Sequence, residues 1–249
     1  MLAAVVEHRH RKGRTLTSLA LEGVAALTFD CYGTLIDWEA GLLAAFRPVL
    51  EAHTITAEPD DVLARFARHE SAAEAGPYLR YRDVLVTVLR GVGSELGFQP
   101  TTEELGTFSG SVVDWPAFPD STEALRRLRR RFKLGVITNC DDDLFAASAR
   151  RLAVNFDWVV TAQQARSYKP NEANFQLAFQ RIGLPRERIV HVAQSLFHDH
   201  VPAKRLGLRS LWINRRGDRA GSGATPSAEA TPDATFFDLA SFAAAAVPD

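Results

Sequence analysis

Cysteine and methionine are scarce in this chain of 249 residues, which has two cysteines, Cys31 and Cys140, and one methionine. Two thiols cannot make the oxidised framework of a small secreted domain. Reduced side chains packed beside strand ends, in a cytoplasmic protein, are the expectation. An excess of charge of either sign is also missing. Lys and Arg number 29 against 30 Asp and Glu, a net charge of −1. No long-range field therefore favours a nucleic acid or a membrane surface as partner. Apolar runs long enough to span a bilayer are absent, and so are internal repeats. What is present is an apolar fraction of 46%, sufficient for a sizeable core. The length suits one α/β domain with an insertion, or two small domains.

The first residues run in the wrong order for a signal peptide: a short apolar stretch, Leu2–Val6, precedes the basic run from His8 to Arg14. Residues 1–22 are expected to be a disordered extension or an over-long start. Val24–Phe29 reads as a fully buried strand. Residues 38–114 then hold only helical patterns, with apolar spacing over Val62–Ala73, Tyr78–Leu96 and Thr101–Val113. Pro59-Asp60-Asp61 looks like a helix start. Trp115-Pro116-Ala117-Phe118-Pro119 makes a stiff exit, after which Asp120 or Ser121 is placed to cap a helix. From there strands (Leu134–Thr138, Trp158–Thr161, Ile189–Ala193, Ser210–Ile213) alternate with helices. Gly217–Pro232 reads as a flexible loop, Ala234–Leu239 as an edge strand and Ala240–Ala246 as a closing helix. Alternation of this kind implies a doubly wound parallel sheet. The expected division is a disordered stretch 1–22, an α/β core from 23–37 and 115–249, and an inserted α-helical cap at 38–114. The arginine-rich run 126–131 falls in the last turns of a helix and reads as a solvated helix end.

Four segments converge on the carboxyl edge of such a sheet, where open α/β folds place their chemistry. They are Asp30-Cys31-Tyr32-Gly33-Thr34, Val136-Ile137-Thr138-Asn139, Ser167-Tyr168-Lys169-Pro170, and Val192-Ala193-Gln194-Ser195 continuing to Asp199. Together, in this order, they resemble the haloacid dehalogenase (HAD) superfamily from about Ala25 to Arg216. The resemblance implies a Rossmann-like core with a helical cap, and it makes Asp30 the nucleophile that forms a covalent ester later split by water. Lys169 matches the family lysine, and Thr34 and Thr138 would hydrogen-bond the nucleophile or the substrate. Phosphatases of the superfamily carry a second aspartate two residues after the first, as proton donor. Tyr32 stands there, and tyrosine is a poor acid at neutral pH. Halide leaves without a proton, so Asp-x-Tyr-Gly-Thr looks like the L-2-haloacid dehalogenase branch. Its substrate would be a small 2-haloalkanoic acid.

The same resemblance makes Asp199 the residue that activates water and Asn139 a halogen contact. Five residues before Asp199 stands Gln194, where magnesium-dependent members have a carboxylate. Magnesium prefers carboxylate oxygens, so no metal and no other cofactor are expected; magnesium enters only under the phosphatase alternative. His198 and His200, two apart, do not share a helix face and are not expected to bind metal. The departures from the branch are Gln194 and Leu196 in place of Ser and Asn, Phe175 in place of Tyr, and His198 in place of an aromatic residue. The halide-binding arginine of the cap has Arg65 as its best candidate and Arg68 as second, with Tyr78 and Tyr81 in the same pocket. Gln194 and His198 are counted with the substrate contacts, and His198 with Arg65 would suit fluoride, as in fluoroacetate. The other readings are an HAD-type phosphatase and a non-catalytic HAD-like binding protein. Pairing of caps would make a homodimer.

Overall fold

Four consecutive buried residues, Ala26–Phe29 (β1), form the middle of the sheet in a computed structural model that describes residues 21–219 and 223–248. The extension expected over 1–22 lies outside the described residues apart from its last two, and so does part of the loop expected at 217–232. After β1 come the helices α1 (Trp38–Ala52), α2 (Pro59–Glu74), α3 (Tyr81–Leu96) and α4 (Thr102–Gly110), then a 3-10 turn, Ser111–Asp114. The second part continues with α5 (Ser121–Arg129), β2 (Lys133–Thr138), α6 (Asp142–Leu152), β3 (Trp158–Thr161), α7 (Ala162–Ala165) and α8 (Ala173–Ile182). It closes with β4 (Ile189–Ala193), a π-helical turn Leu196–His200 running into α9 (Val201–Arg205), β5 (Arg209–Ile213), β6 (Ala234–Phe236) and α10 (Leu239–Ala246).

Strand order is β3-β2-β1-β4-β5-β6, and every pairing is parallel. The chain winds outwards from β1 through β2 to β3, then returns to place β4 on the other side of β1. That reversal is the topological switch point, where the crevice beyond the strand ends opens. The residue after β1 is Asp30.

Local signals explain the helix ends. Asp37 caps α1 by accepting from the Ala40 amide, Pro59 opens α2, and a Thr101–Glu104 capping box starts α4. α3 stops at Gly97, in the left-handed conformation. Its start is capped from outside the helical segment: buried Asp141, at the head of α6, accepts from the amides of Tyr81 (3.1 Å) and Arg82 (3.3 Å). Cap and core also meet through Trp115, packed so closely over α1 that a Cβ at Gly41 would lie 2.3 Å from its ring.

Two expectations change. Asp120 precedes α5 but makes no side-chain cap there. It accepts instead from the amides of Leu239 (2.7 Å) and Ala240 (3.1 Å), at the start of α10, and pairs with Arg215. The arginine run is not simply solvated. Arg127 and Arg131 donate to the carbonyls of Val247 and Ala246, so they cap the carboxyl end of α10. The reason is tertiary: α10 packs along α5, which brings its orphan carbonyls within reach.

Candidate active site

Asp30 leaves β1 and enters a tight turn in which the Leu35 and Ile36 amides both donate to the Cys31 carbonyl. Gly33 sits in that turn with φ +93°, a conformation costly for any residue with a Cβ. The turn returns Thr34 beneath the carboxylate. The Gln194 amide donates to Thr34 Oγ1 at 2.9 Å, so the Thr34 hydroxyl proton is left to donate to Asp30 Oδ2, at 2.7 Å. Lys169 comes from the loop between α7 and α8 and is buried. It donates to Asp30 Oδ1 (2.9 Å), Asp199 Oδ1 (2.7 Å) and the Ile137 carbonyl (2.9 Å). All three ammonium protons are therefore committed. Asn139, just past β2, holds the lysine's backbone from both sides: its Oδ1 accepts from Lys169 N and its Nδ2 donates to Lys169 O.

One cation between two buried carboxylates leaves the trio with net negative charge. Burial pushes the Asp30 carboxyl above its usual value; Lys169 pulls it down, the charge of Asp199 pushes it up, and Thr34 pulls it down. Burial acts the same way on Asp199, but Lys169 and His191 outweigh it and hold Asp199 well below the ordinary carboxylate range. Asp199 Oδ1 accepts from both partners, and Oδ2 has no hydrogen bond among the described residues. Oδ2 is thus the oxygen available to take a proton. Lys169 stays charged, because burial is outweighed by its two carboxylates.

Above this floor lies a cavity of about 30 Å³, whose lining includes Asp30, Tyr32, Trp38, Lys169, Ser195 and Asp199. The Tyr32 hydroxyl shares a hydrogen bond with Ser148 Oγ (3.0 Å), its ring meets Trp115 edge-on, and burial pushes its pKa well above the usual value. Asn139 and His198 also face the cavity. His198 is held by Ser195, and burial lowers its pKa to about 4, so the ring is neutral at pH 7. The two thiols are buried, and desolvation raises both, that of Cys140 to about 12, which makes them unreactive packing groups.

Several expected contacts are not brought here. Arg65 pairs with Asp61 (3.0 Å) and with Glu95, and Arg68 with the same Glu95 (2.9 Å); neither lines the cavity. They turn outwards because α2 presents them to α3 and solvent, where Asp61 and Glu95 pair with them. Thr138 is buried, and its hydroxyl points to Cys140 Sγ rather than to Asp30. Gln194 contributes its backbone: the amide holds Thr34 and the carbonyl accepts from Trp212 Nε1, while the residue lines a different hollow. Tyr81 faces the cavity, but Tyr78 stacks on Tyr168 outside it.

Three residues not singled out earlier belong to the site. Glu70 and Glu74, on α2, line the cavity, and His191 of β4 donates to Asp199 while contacting Thr28. Signals for them existed. Phe66, Glu70 and Glu74 recur at intervals of four on the inward face of α2, and His191 is the one polar residue of its strand.

The family model for haloacid dehalogenase-like hydrolases matches residues 24–196. The (S)-2-haloacid dehalogenase of Pseudomonas putida is 24% identical over 229 residues, covering 88% of this chain and 95% of the relative. Among solved structures, the defluorinating L-2-haloacid dehalogenase Rha0230 superimposes with a TM-score of 0.75 at 21% identity, covering 89% of this chain and 94% of that one. The L-2-haloacid dehalogenase of Xanthobacter autotrophicus with covalently bound chloropropionic acid gives 0.74 at 18%, covering 88% and 97%. With the Asp30–Thr34 turn and Lys169 both inside the matched span, the chain belongs to the haloacid dehalogenase-like hydrolase family.

Proposed function

We propose that this protein hydrolyses the carbon–halogen bond of a small 2-haloalkanoic acid through an ester on Asp30. The observation that carries the reading is the pairing of a braced carboxylate with a tyrosine that is a poor acid and whose hydroxyl is turned to Ser148. Thr34 and Lys169 fix Asp30 at the cavity floor, and Tyr32 stands two residues after Asp30, where phosphatases of the superfamily carry their proton-donating aspartate. Burial pushes the Tyr32 pKa well above the ordinary value, which makes it a poor acid near neutrality. Displacement at carbon with halide leaving needs no acid there.

In the first step Asp30 attacks the carbon bearing the halogen, a C–O bond forms, and halide takes the bonding pair. In the second, water attacks the Asp30 carbonyl carbon and Asp199 Oδ2 takes its proton. His191 and Lys169 both hold Asp199 Oδ1, which fixes the direction of Oδ2. Lys169 lines the cavity and holds both carboxylates in place. The small cavity suits two- or three-carbon substrates. The relatives named for 2-haloacids and the covalently bound homologous structure support the same chemistry.

No metal or organic cofactor enters this reading. Lys169 already bridges the two carboxylates at 2.9 and 2.7 Å, and the Gln194 side chain adds no carboxylate. The segment 38–114 is read as a cap over the site, closing it to bulk water.

The test is a panel of 2-haloacids assayed for halide release with a chelator present, beside a panel of phosphate esters with magnesium. Halide release that disappears in Asp30→Asn supports the proposal. Magnesium-dependent phosphate release without halide release replaces it with the phosphatase reading.

A further inference from the structure

We infer that Glu74, in its acid form, is a catalytic residue of the cap that donates a hydrogen bond to the departing halide, and that the leaving group this fits is fluoride. The inference rests on the dehalogenase reading above and names the substrate class within it: 2-fluoroacids.

The argument begins with a charge imbalance. Glu70 and Glu74 are one helical turn apart on α2, and both line the cavity that holds Asp30 and Asp199. Fully ionised, this cavity would hold four carboxylates against one ammonium, and Lys169 has no proton left for either glutamate. The nearest basic group to Glu74 is His198, its Nε2 3.9 Å from Glu74 Oε2. Buried carboxylates without a cationic partner keep their protons. Desolvation accordingly raises Glu70 to about 8 and Glu74 well above its ordinary value.

Geometry decides which glutamate acts. Glu70 Oε1 already accepts the Tyr81 hydroxyl at 2.6 Å. Glu74 Oε2 accepts from Asn139 Nδ2 at 3.3 Å, and Oε1 has no hydrogen bond to a described residue. With Oε2 engaged as acceptor, the acid proton belongs on Oε1. Asp30 attacks from the floor of the cavity, so in-line displacement sends the leaving group away from it, towards the cap. Glu74 reaches the same cavity from α2. Arg65 and Arg68, the expected halide ligands, are turned away.

An O–H donor discriminates among halides. Fluoride is the smallest and the strongest hydrogen-bond acceptor of the series; bromide accepts weakly. A cavity of about 30 Å³ favours the small atom as well. As the Asp30–carbon bond forms and the carbon–fluorine pair leaves with fluorine, the Glu74 proton bridges to fluoride. It stays on Glu74, because hydrogen fluoride is a stronger acid than a carboxyl held above its usual range. Hydrolysis of the ester then consumes one water. Asp199 takes a proton from it and returns that proton to the departing hydroxyacid oxygen. The remaining proton leaves Asp30 for solvent, so each turnover releases one fluoride and one proton.

The experiment measures fluoride and bromide release from fluoroacetate and bromoacetate by wild type, Glu74→Ala and Glu74→Gln. One charge-assisted hydrogen bond predicts that the fluoride-to-bromide rate ratio falls roughly 10- to 100-fold in Glu74→Ala. Glu74→Gln, which keeps an N–H donor, recovers part of it. In wild type, fluoride release should also decline as pH rises through the ionisation of Glu74, and that limb should be missing in Glu74→Gln. The groups facing Glu74 are Glu70 on its own helix, Tyr81 on α3, Asn139 after β2, Tyr168 and Lys169 before α8, and His198 after β4; those that titrate are present in all three proteins. Equal loss of both halides, an unchanged ratio, or bromide release without fluoride release in wild type would overturn the role of Glu74 and leave the dehalogenase reading standing. Absence of any halide release in wild type would overturn both.

Discussion

Replacing Lys169 with methionine removes the one cation between Asp30 and Asp199 and keeps most of the volume. The structure sets the size of the effect. Lys169 and both carboxylates are almost wholly shielded, with side-chain exposures of 1%, 8% and 1%. At 2.7–2.9 Å each ion pair carries roughly 6 kcal/mol of raw Coulomb attraction at an effective dielectric of about 20, largely offset by the desolvation of all three charges. Removing one member of such a pair leaves uncompensated buried charge and costs about 3–5 kcal/mol. The cost should depend on pH. In wild type, Asp199 is held below its ordinary value, so its contribution is present above that value and lost only as pH falls through its depressed pKa. In Lys169→Met burial is opposed only by Thr34 at Asp30 and by His191 at Asp199, so both pKa values rise and each carboxyl favours the folded state most while protonated. The stability gap between the two proteins should therefore widen from pH 5 to pH 8. Urea denaturation at several pH values reads the gap, and halide release should fall below about 1% of wild type. A Lys169→Met protein within about 1 kcal/mol of wild type at pH 8, or a gap that does not change with pH, would refute the charge balance argued for this site.

Glu70→Gln tests the neutral roof of the cavity. Folding raises the Glu70 pKa from 4.5 to about 8. Its contribution to stability is thus fully present below the ordinary carboxylate value and is lost as pH rises towards 8. Glu70→Gln should flatten that decline and be the more stable protein above pH 8 by on the order of a few kcal/mol, read by denaturation across pH. Asp141→Ala should expose the seam between cap and core. The amides of Tyr81 and Arg82 lose their acceptor, which should cost about 1–2 kcal/mol and increase protease cleavage around residues 75–80. An unchanged cleavage pattern would show that Asp141 does not hold the cap down.

Much of this architecture was legible because its signals are local. The apolar strand ending in Asp30, the turn needing Gly33, and the change from a helical to an alternating pattern after Trp115 each depend on neighbouring residues. β3 and β4 match their expected bounds, and most helices start or stop within a few residues of theirs. Less legible was whatever depends on which faces meet. Arg65 reads as a cap arginine until Glu95 of α3 is seen beside it. Asp120 reads as a helix cap until the start of α10 arrives to bind it. Glu70 and Glu74 do not stand out in the sequence, because glutamate is rarely buried; only the docking of α2 over Asp30 shows them lining the cavity. Gln194 illustrates a subtler limit, since its amide rather than its side chain serves the site. Sequence shows side chains, and backbone roles become visible only once the chain is folded.

The central claim is that the substrate becomes bonded to Asp30 before water reaches it. A single turnover in water enriched in oxygen-18, with enzyme in excess over a 2-haloacid, tests it most directly when the peptide containing Asp30 and the hydroxyacid are both weighed. Attack of water on the ester carbonyl should place the heavy oxygen in the Asp30 carboxylate and leave the first product molecule unlabelled. Label in that first product, with none in Asp30, would mean that water attacks the substrate directly and would contradict the account.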